Sequence, residues 1–130
     1  MATRQSELQR VLGLLSKELP EPLWVALVDG DGLIVACVPS NPPVGSDRIS
    51  AMAAASQLMG ERVLGEIEGG SMRFASIAGS LRQHLTVVVK RDHLLSIGLG
   101  PEVPAQATFG PLGRWVPELL RVLNMRFTAR

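Results

Sequence analysis

Residues 23 to 38, LWVALVDGDGLIVACV, set two runs of bulky apolar residues on either side of four small acidic and flexible ones. Trp24 to Val28 and Leu33 to Val38 are too short for helices and rich in β-branched and large apolar side chains, so they are expected as strands. The Asp-Gly pairs between them supply the positive φ angles of a tight hairpin turn. Neither run alternates apolar with polar residues, as a sheet with one wet face would. Both faces of the sheet are therefore expected to be covered.

Two chemical readings of DGDG fail on spacing. An EF-hand calcium loop also begins D-x-D, but its fifth, sixth and twelfth places call for an Asp or Asn, a Gly and an acid. Here they hold Leu33, Ile34 and Ser40. A phosphate cradle needs Gly-x-Gly-x-x-Gly opening into a helix, whose first amides hold the anion. Gly30 and Gly32 open into a strand, and the third place is Val35.

Outward from this hairpin, periodicity supplies the remaining elements. Leu8, Val11, Leu12, Leu15 and Leu19 recur at the spacing of one helical stripe, which PEP at 20 to 22 ends. PSNPPVGSD, 39 to 47, reads as a loop that brings Ser46 or Asp47 to the N-cap of a long helix running to about Ile67, closed by a glycine cap in EGG, 68 to 70. Three extended runs follow, SMRFASIA (71 to 78), HLTVVVK (84 to 90) and HLLSIGL (93 to 99), separated by hairpin-sized turns. After a loop from Gly100 to Pro111, the residues Trp115, Val116, Leu119, Val122, Leu123 and Phe127 mark a closing helix with Pro117 in its first turn. The order is helix, two strands, helix, three strands, helix. It predicts an α+β fold in three layers: a five-stranded antiparallel sheet with the long helix on one face and the two terminal helices on the other.

At 130 residues the whole chain, 1 to 130, fits one domain with room for a real core. Its net charge of +1 and scattered basic residues create no field for a polyanion, so nucleic acid is not an expected partner. The single cysteine, Cys37, rules out an intrachain disulfide, and no apolar run reaches the roughly 18 residues of a membrane span, so a cytoplasmic protein without membrane insertion is expected. Eleven arginines against two lysines suggest a bacterial source.

The long helix carries two apolar faces. Ile49, Met52, Ala53, Ser56, Met59, Gly60, Val63, Leu64 and Ile67 fall on one side at about 100° per residue, which predicts that they cover the sheet. Ala51, Ala54, Ala55, Leu58, Arg62 and Gly65 fall on the other, where a surface helix usually carries Lys and Glu. Alanines tolerate exposure as good helix formers. Small side chains also let a second helix approach closely, here the same helix of a second copy, with Leu58 as the central knob. The next strand fits this second account. Phe74, Ala75 and Ile77 have only Arg73 as a charged guard, so at a sheet edge they would pair with their symmetry mates.

Candidates for catalysis are few. His84 and His93 start consecutive strands; with a two-residue turn at RD, Lys90 faces His93 and His84 faces Leu99, about 20 Å apart and too far to share a metal. Cys37 lies in an apolar strand, where packing is the commoner role, although a Cys37 and histidine dyad is compatible with the spacing. No G-x-S-x-G, C-x-x-C, Walker or H-E-x-x-H motif occurs. No catalytic, metal or cofactor site is expected.

The run LVDGDGLIVACV, the helix containing ISAMAAASQLMGERV, and IEGGSMRFASI with two further strands resemble the roadblock family, related to dynein light chains and to bacterial partners of Ras-like GTPases. The resemblance covers nearly the whole chain, with departures in the proline-rich loop 39 to 47 and the loop 100 to 111. It implies homodimers or heterodimers formed through the middle helix and third strand, so an interface of Ala51, Ala54, Ala55, Leu58, Arg62, Arg73, Phe74, Ala75 and Ile77. It also implies a non-catalytic regulator or scaffold for a small Ras-like GTPase, docked near Gln57, Glu61, Arg62 and Glu66. Arg62 and Arg73 are the first arginines to test for a direct part in GTP hydrolysis. Two other classes compete: a small-molecule sensor of profilin- or PAS-like shape, needing a cavity between sheet and helices, and an enzyme using Cys37.

Overall fold

The computed structural model describes residues 2 to 126. Helix α1 (Arg4–Glu18) leads to the hairpin β1 (Pro22–Asp29) and β2 (Ile34–Val38), then α2 (Ser46–Glu66), the meander β3 (Phe74–Ala78), β4 (Gln83–Lys90) and β5 (His93–Leu99), and α3 (Phe109–Asn124). The five strands form one antiparallel sheet in the order β2-β1-β5-β4-β3. The predicted three-layer α+β arrangement is the one observed. Strand β1 lies inside the sheet and is buried along most of its length, which explains its missing alternation, whereas β2, expected to be covered as well, is an edge strand that is half-buried except at Ala36.

The larger core lies between the sheet and the terminal helices. Leu8, Val11, Leu12 and Leu15 of α1 and Leu112, Leu119 and Val122 of α3 meet Val25, Leu27, Leu85, Leu95 and Ile97. On the opposite face, Ile49 of α2 packs with Trp24 and Ala26, and Ala53 with Val28 and Leu94. Alternation along the strands therefore places Ala75, Ile77, His84, Thr86, Ser96 and Gly98 on the α2 side as well.

Several local expectations are corrected. The N-cap of α2 is Gly45, which offers no side-chain hydrogen bond, rather than Ser46 or Asp47. At the other end Glu68, not a glycine, takes the left-handed conformation (φ 52°), and the Gly69 amide returns to the Leu64 carbonyl at 2.8 Å, closing a Schellman-type turn. Residues 71 to 73 precede β3 instead of extending it, because Met72 turns inward beneath Gly60. A bulge between Val88 and Lys90 shifts the ladder by one, so Lys90 faces His93 as expected but His84 faces Gly98, not Leu99. The loop after β5 is shorter than expected: a 3₁₀ turn at Ala105–Thr108 runs into α3 at Phe109, which leaves Pro117 inside the helix. Gly113, whose carbonyl loses its partner to that proline, is exposed. Phe127, assigned to the same helix, lies outside the described residues.

Candidate functional site: the outer face of α2 and the β3 edge

The DGDG segment is a structural turn. The Asp29 carboxylate accepts from the amides of Asp31 (2.9 Å) and Leu33 (3.0 Å), so its oxygen serves the backbone. Only Gly32 takes a positive φ, 78°; Gly30 is needed for close approach, since a Cβ there would lie 3.0 Å from that of Asp92 in the β4–β5 turn. Among the described residues no group of three His, Cys, Asp or Glu side chains is placed to hold a metal, and no helix is long and apolar enough to cross a membrane. Cys37 is half-buried, and burial pushes its thiol pKa up, away from a reactive thiolate.

The two edges of the sheet differ. At the β2 edge, Gln9 of α1 reaches over and donates to the Cys37 carbonyl at 2.7 Å. The β3 edge carries no such guard among the described residues, and its strand is exposed at Phe74, Ser76, Ile77 and Ala78. Phe74 turns to the α3 side, where its ring meets Phe109 at 5.3 Å, and Ile77 turns to the α2 side, 59% exposed.

Helix α2 passes over the sheet and outruns it. Gly60 already lies against Met72, just before the edge strand β3, so the turns that follow it run past the sheet. Ile49, Ala53 and Ser56 are buried as expected, but Met59, Val63 and Ile67, which periodicity assigns to the sheet, are 63%, 53% and 68% exposed. Ala51, Ala54, Ala55, Leu58, Arg62 and Gly65 all point outward, and Leu58 is 67% exposed. Of the polar candidates, Arg62 and Glu66 are exposed, while the Glu61 carboxylate accepts from the Met72 amide (3.2 Å) and thereby ties the α2–β3 connection down.

The two sides of α2 face different surroundings. Ser50, Ala54 and Gln57 border a cleft of about 790 Å³ between the β1–β2 and β4–β5 turns. On the other side Met52 packs near Trp24, and Ala55, Met59 and Val63 continue its row at i+3, i+7 and i+11. Below that row lies the portion of the sheet carrying Ile77 and His84. An open apolar angle results, walled by α2 and floored by β3 and β4.

Beneath it runs a polar chain that no pattern in the sequence announces. Ser96 Oγ, fully buried, accepts from Trp24 Nε1 at 3.1 Å and lies 2.8 Å from His84 Nε2, with Thr86 Oγ1 3.5 Å from Nδ1. Trp24 covers Gly98, where any Cβ would strike the indole. Burial lowers the His84 pKa below the ordinary histidine value. A further apolar groove of about 540 Å³ lies on the opposite sheet face, lined by Phe74, Val87, Phe109, Leu112, Val116 and Pro117.

A helix-covered antiparallel meander with an open edge strand is a fold of roadblock type. The Roadblock/LC7 domain model matches residues 9–97, and the chain belongs to that family. Among solved structures, the Roadblock/LC7 domain from Streptomyces avermitilis superposes with a TM-score of 0.80 at 18% identity, covering 92% of this chain and 100% of that one. MglB from Myxococcus xanthus gives 0.81 at 12% identity, covering 99% and 98%. The gliding protein MglB from Thermus thermophilus gives 0.78 at 13% identity, covering 94% and 92%. A search of curated protein sequences gives no match.

Proposed function

We propose that this chain is a non-catalytic dimeric platform, a homodimer or a heterodimer with a related roadblock chain, that binds a small Ras-like GTPase in the cytoplasm and biases its nucleotide state. The observation that carries the reading is the bare β3 edge lying beside the exposed apolar face of α2, while the β2 edge is guarded by Gln9. Two β3 strands paired about a two-fold axis would satisfy each other's backbone groups and fuse two sheets. The overhanging Met59 and Val63 would then cover the neighbouring copy, with Ala51, Ala55 and Leu58 allowing the two helices to approach closely.

Membership of the roadblock family supports a GTPase as the partner, and the two exposed arginines, Arg62 and Arg73, flank this region. A platform acts on a switch protein by binding one of its nucleotide states better than the other. The test is capture of purified Ras-like GTPases from the same genome, each loaded with GDP or a non-hydrolysable GTP analogue. Preferential capture of one state is expected. Equal or absent capture of every GTPase in both states would favour the sensor reading.

A further inference from the structure

We propose that His84 makes assembly of this protein pH-sensitive, holding two copies together when neutral and driving them apart when protonated. The inference rests on the dimer reading above. His84 is cross-strand neighbour to Ile77 on the exposed edge strand and to Gly98 on β5, on the sheet face that the open α2 angle leaves uncovered. A second copy seated on Ile77 would bury the imidazole further.

The hydrogen-bond chain favours the neutral ring. Ser96 Oγ accepts from Trp24 Nε1, and its hydroxyl proton is available to be donated to an unprotonated Nε2 of His84. In that tautomer Nδ1–H faces Thr86 Oγ1. Protonation puts a hydrogen on Nε2 as well, so two donors confront each other until the Ser96 hydroxyl turns away into a site with no exposure.

The groups paired with or bonded to His84 are uncharged: Ile77 on β3, Thr86 on its own strand, Ser96 and Gly98 on β5, and Trp24 on β1; the one charge that alternation puts on the same face beside it is the cation Arg82, two residues before, which disfavours an imidazolium. The sheet-facing residues of α2, Ile49, Met52, Ala53, Ser56 and Gly60, carry no charge either. No carboxylate there rewards an imidazolium, and desolvation alone lowers its pKa. From the second copy, the charged residues nearest its α2 apolar face are Glu61, Arg62 and Glu66, of which Arg62 stands on the same outward side as Leu58.

The sign follows from linkage. A histidine whose pKa falls on association releases protons as the dimer forms, so the dimer is at full strength above the pKa of the separate chain, which burial already holds below the ordinary histidine value, and weakens as pH drops through that lowered range. Each unit by which association lowers that pKa weakens the dimer tenfold per protomer at the acid limit, hundredfold for the symmetric pair.

The experiment is sedimentation equilibrium of wild type and H84Q from about pH 8 to about pH 4, a span that runs from above the ordinary histidine pKa to well below it, with circular dichroism at each pH to follow the fold. Wild type is expected to weaken at least tenfold on acidification while H84Q, neutral throughout, changes little. Equal acid weakening in both proteins, or none in wild type, overturns the proposal while leaving the dimer in place. Monomers at every pH and concentration would remove the dimer reading itself. Should H84Q fold poorly, the histidine resonance of H93Q serves instead: its titration midpoint should fall as protein concentration rises, and a midpoint independent of concentration overturns the proposal.

Discussion

Replacing Leu58 with glutamate separates association from folding. Leu58 is 67% exposed on the outward side of α2. Fully burying a leucine is worth about 1.5–3 kcal/mol, so covering the exposed two-thirds of it would contribute about 1–2 kcal/mol. A two-fold interface contains the residue twice, giving about 2–4 kcal/mol, or roughly thirty- to several-hundred-fold in dissociation constant. A carboxylate forced into the same place only adds to the loss. The fold should hardly notice, because Leu58 lies outside the buried clusters and glutamate is a good helix former; a change within about 0.5 kcal/mol is expected for such a surface site. Leu33→Glu is the control, since Leu33 is 63% exposed but sits in the β1–β2 turn away from β3. Dissociation constants are read by sedimentation equilibrium and thermal stability at dilutions where both variants are monomeric. If L58E and L33E associate as tightly as wild type, the helix face is not the contact and the reasoning fails.

Three further outcomes are expected. Gly98→Ala places a Cβ 2.5 Å from Cε3 of Trp24, and overpacking with loss of the Trp24–Ser96 bond should cost about 2–4 kcal/mol; an unchanged urea midpoint followed by tryptophan fluorescence would refute this. Gln83→Ala removes a buried donor to the carbonyls of Gly100 (2.8 Å) and Val103 (2.5 Å), so amide exchange from Val103 to Thr108 should accelerate, at a stability cost of about 1–3 kcal/mol. Because burial raises the Cys37 pKa, iodoacetamide should react slowly at neutral pH and faster as pH rises, without affecting GTPase capture; rapid neutral modification that abolishes capture would restore a chemical role for the thiol.

Much of the architecture is legible in the sequence because local pattern and tertiary role agree. The unbroken apolar run of β1 indicates a strand covered on both sides, and the apolar stripe Leu8, Val11, Leu12, Leu15 and Leu19 is buried at every position. Errors cluster where an outcome depends on a distant neighbour. Periodicity knows which side of α2 faces the sheet but not where the sheet stops, so it grants Met59, Val63 and Ile67 a cover they lack. The bulge at Val88 to Lys90 moves His84 opposite Gly98, and only that register brings it to Ser96 and Trp24. A glycine before Ser46 caps α2, and a glutamate rather than a glycine takes the left-handed turn at its end, because the returning Gly69 amide holds that turn closed. Of the outward residues, Ala54 borders the hairpin cleft and Ala55 the opposite side, a division that needs the position of the turns.

The Gln9 side chain on the Cys37 carbonyl has an effect on growth as well as on choice of partner. Subunits with two adhesive rims add end to end without limit and yield fibrils. A subunit with one rim plugged from within can be joined along the other and no further, so elongation terminates after a single step. Removing that plug, with Gln9→Ala, would unblock the second rim and open a route to filaments.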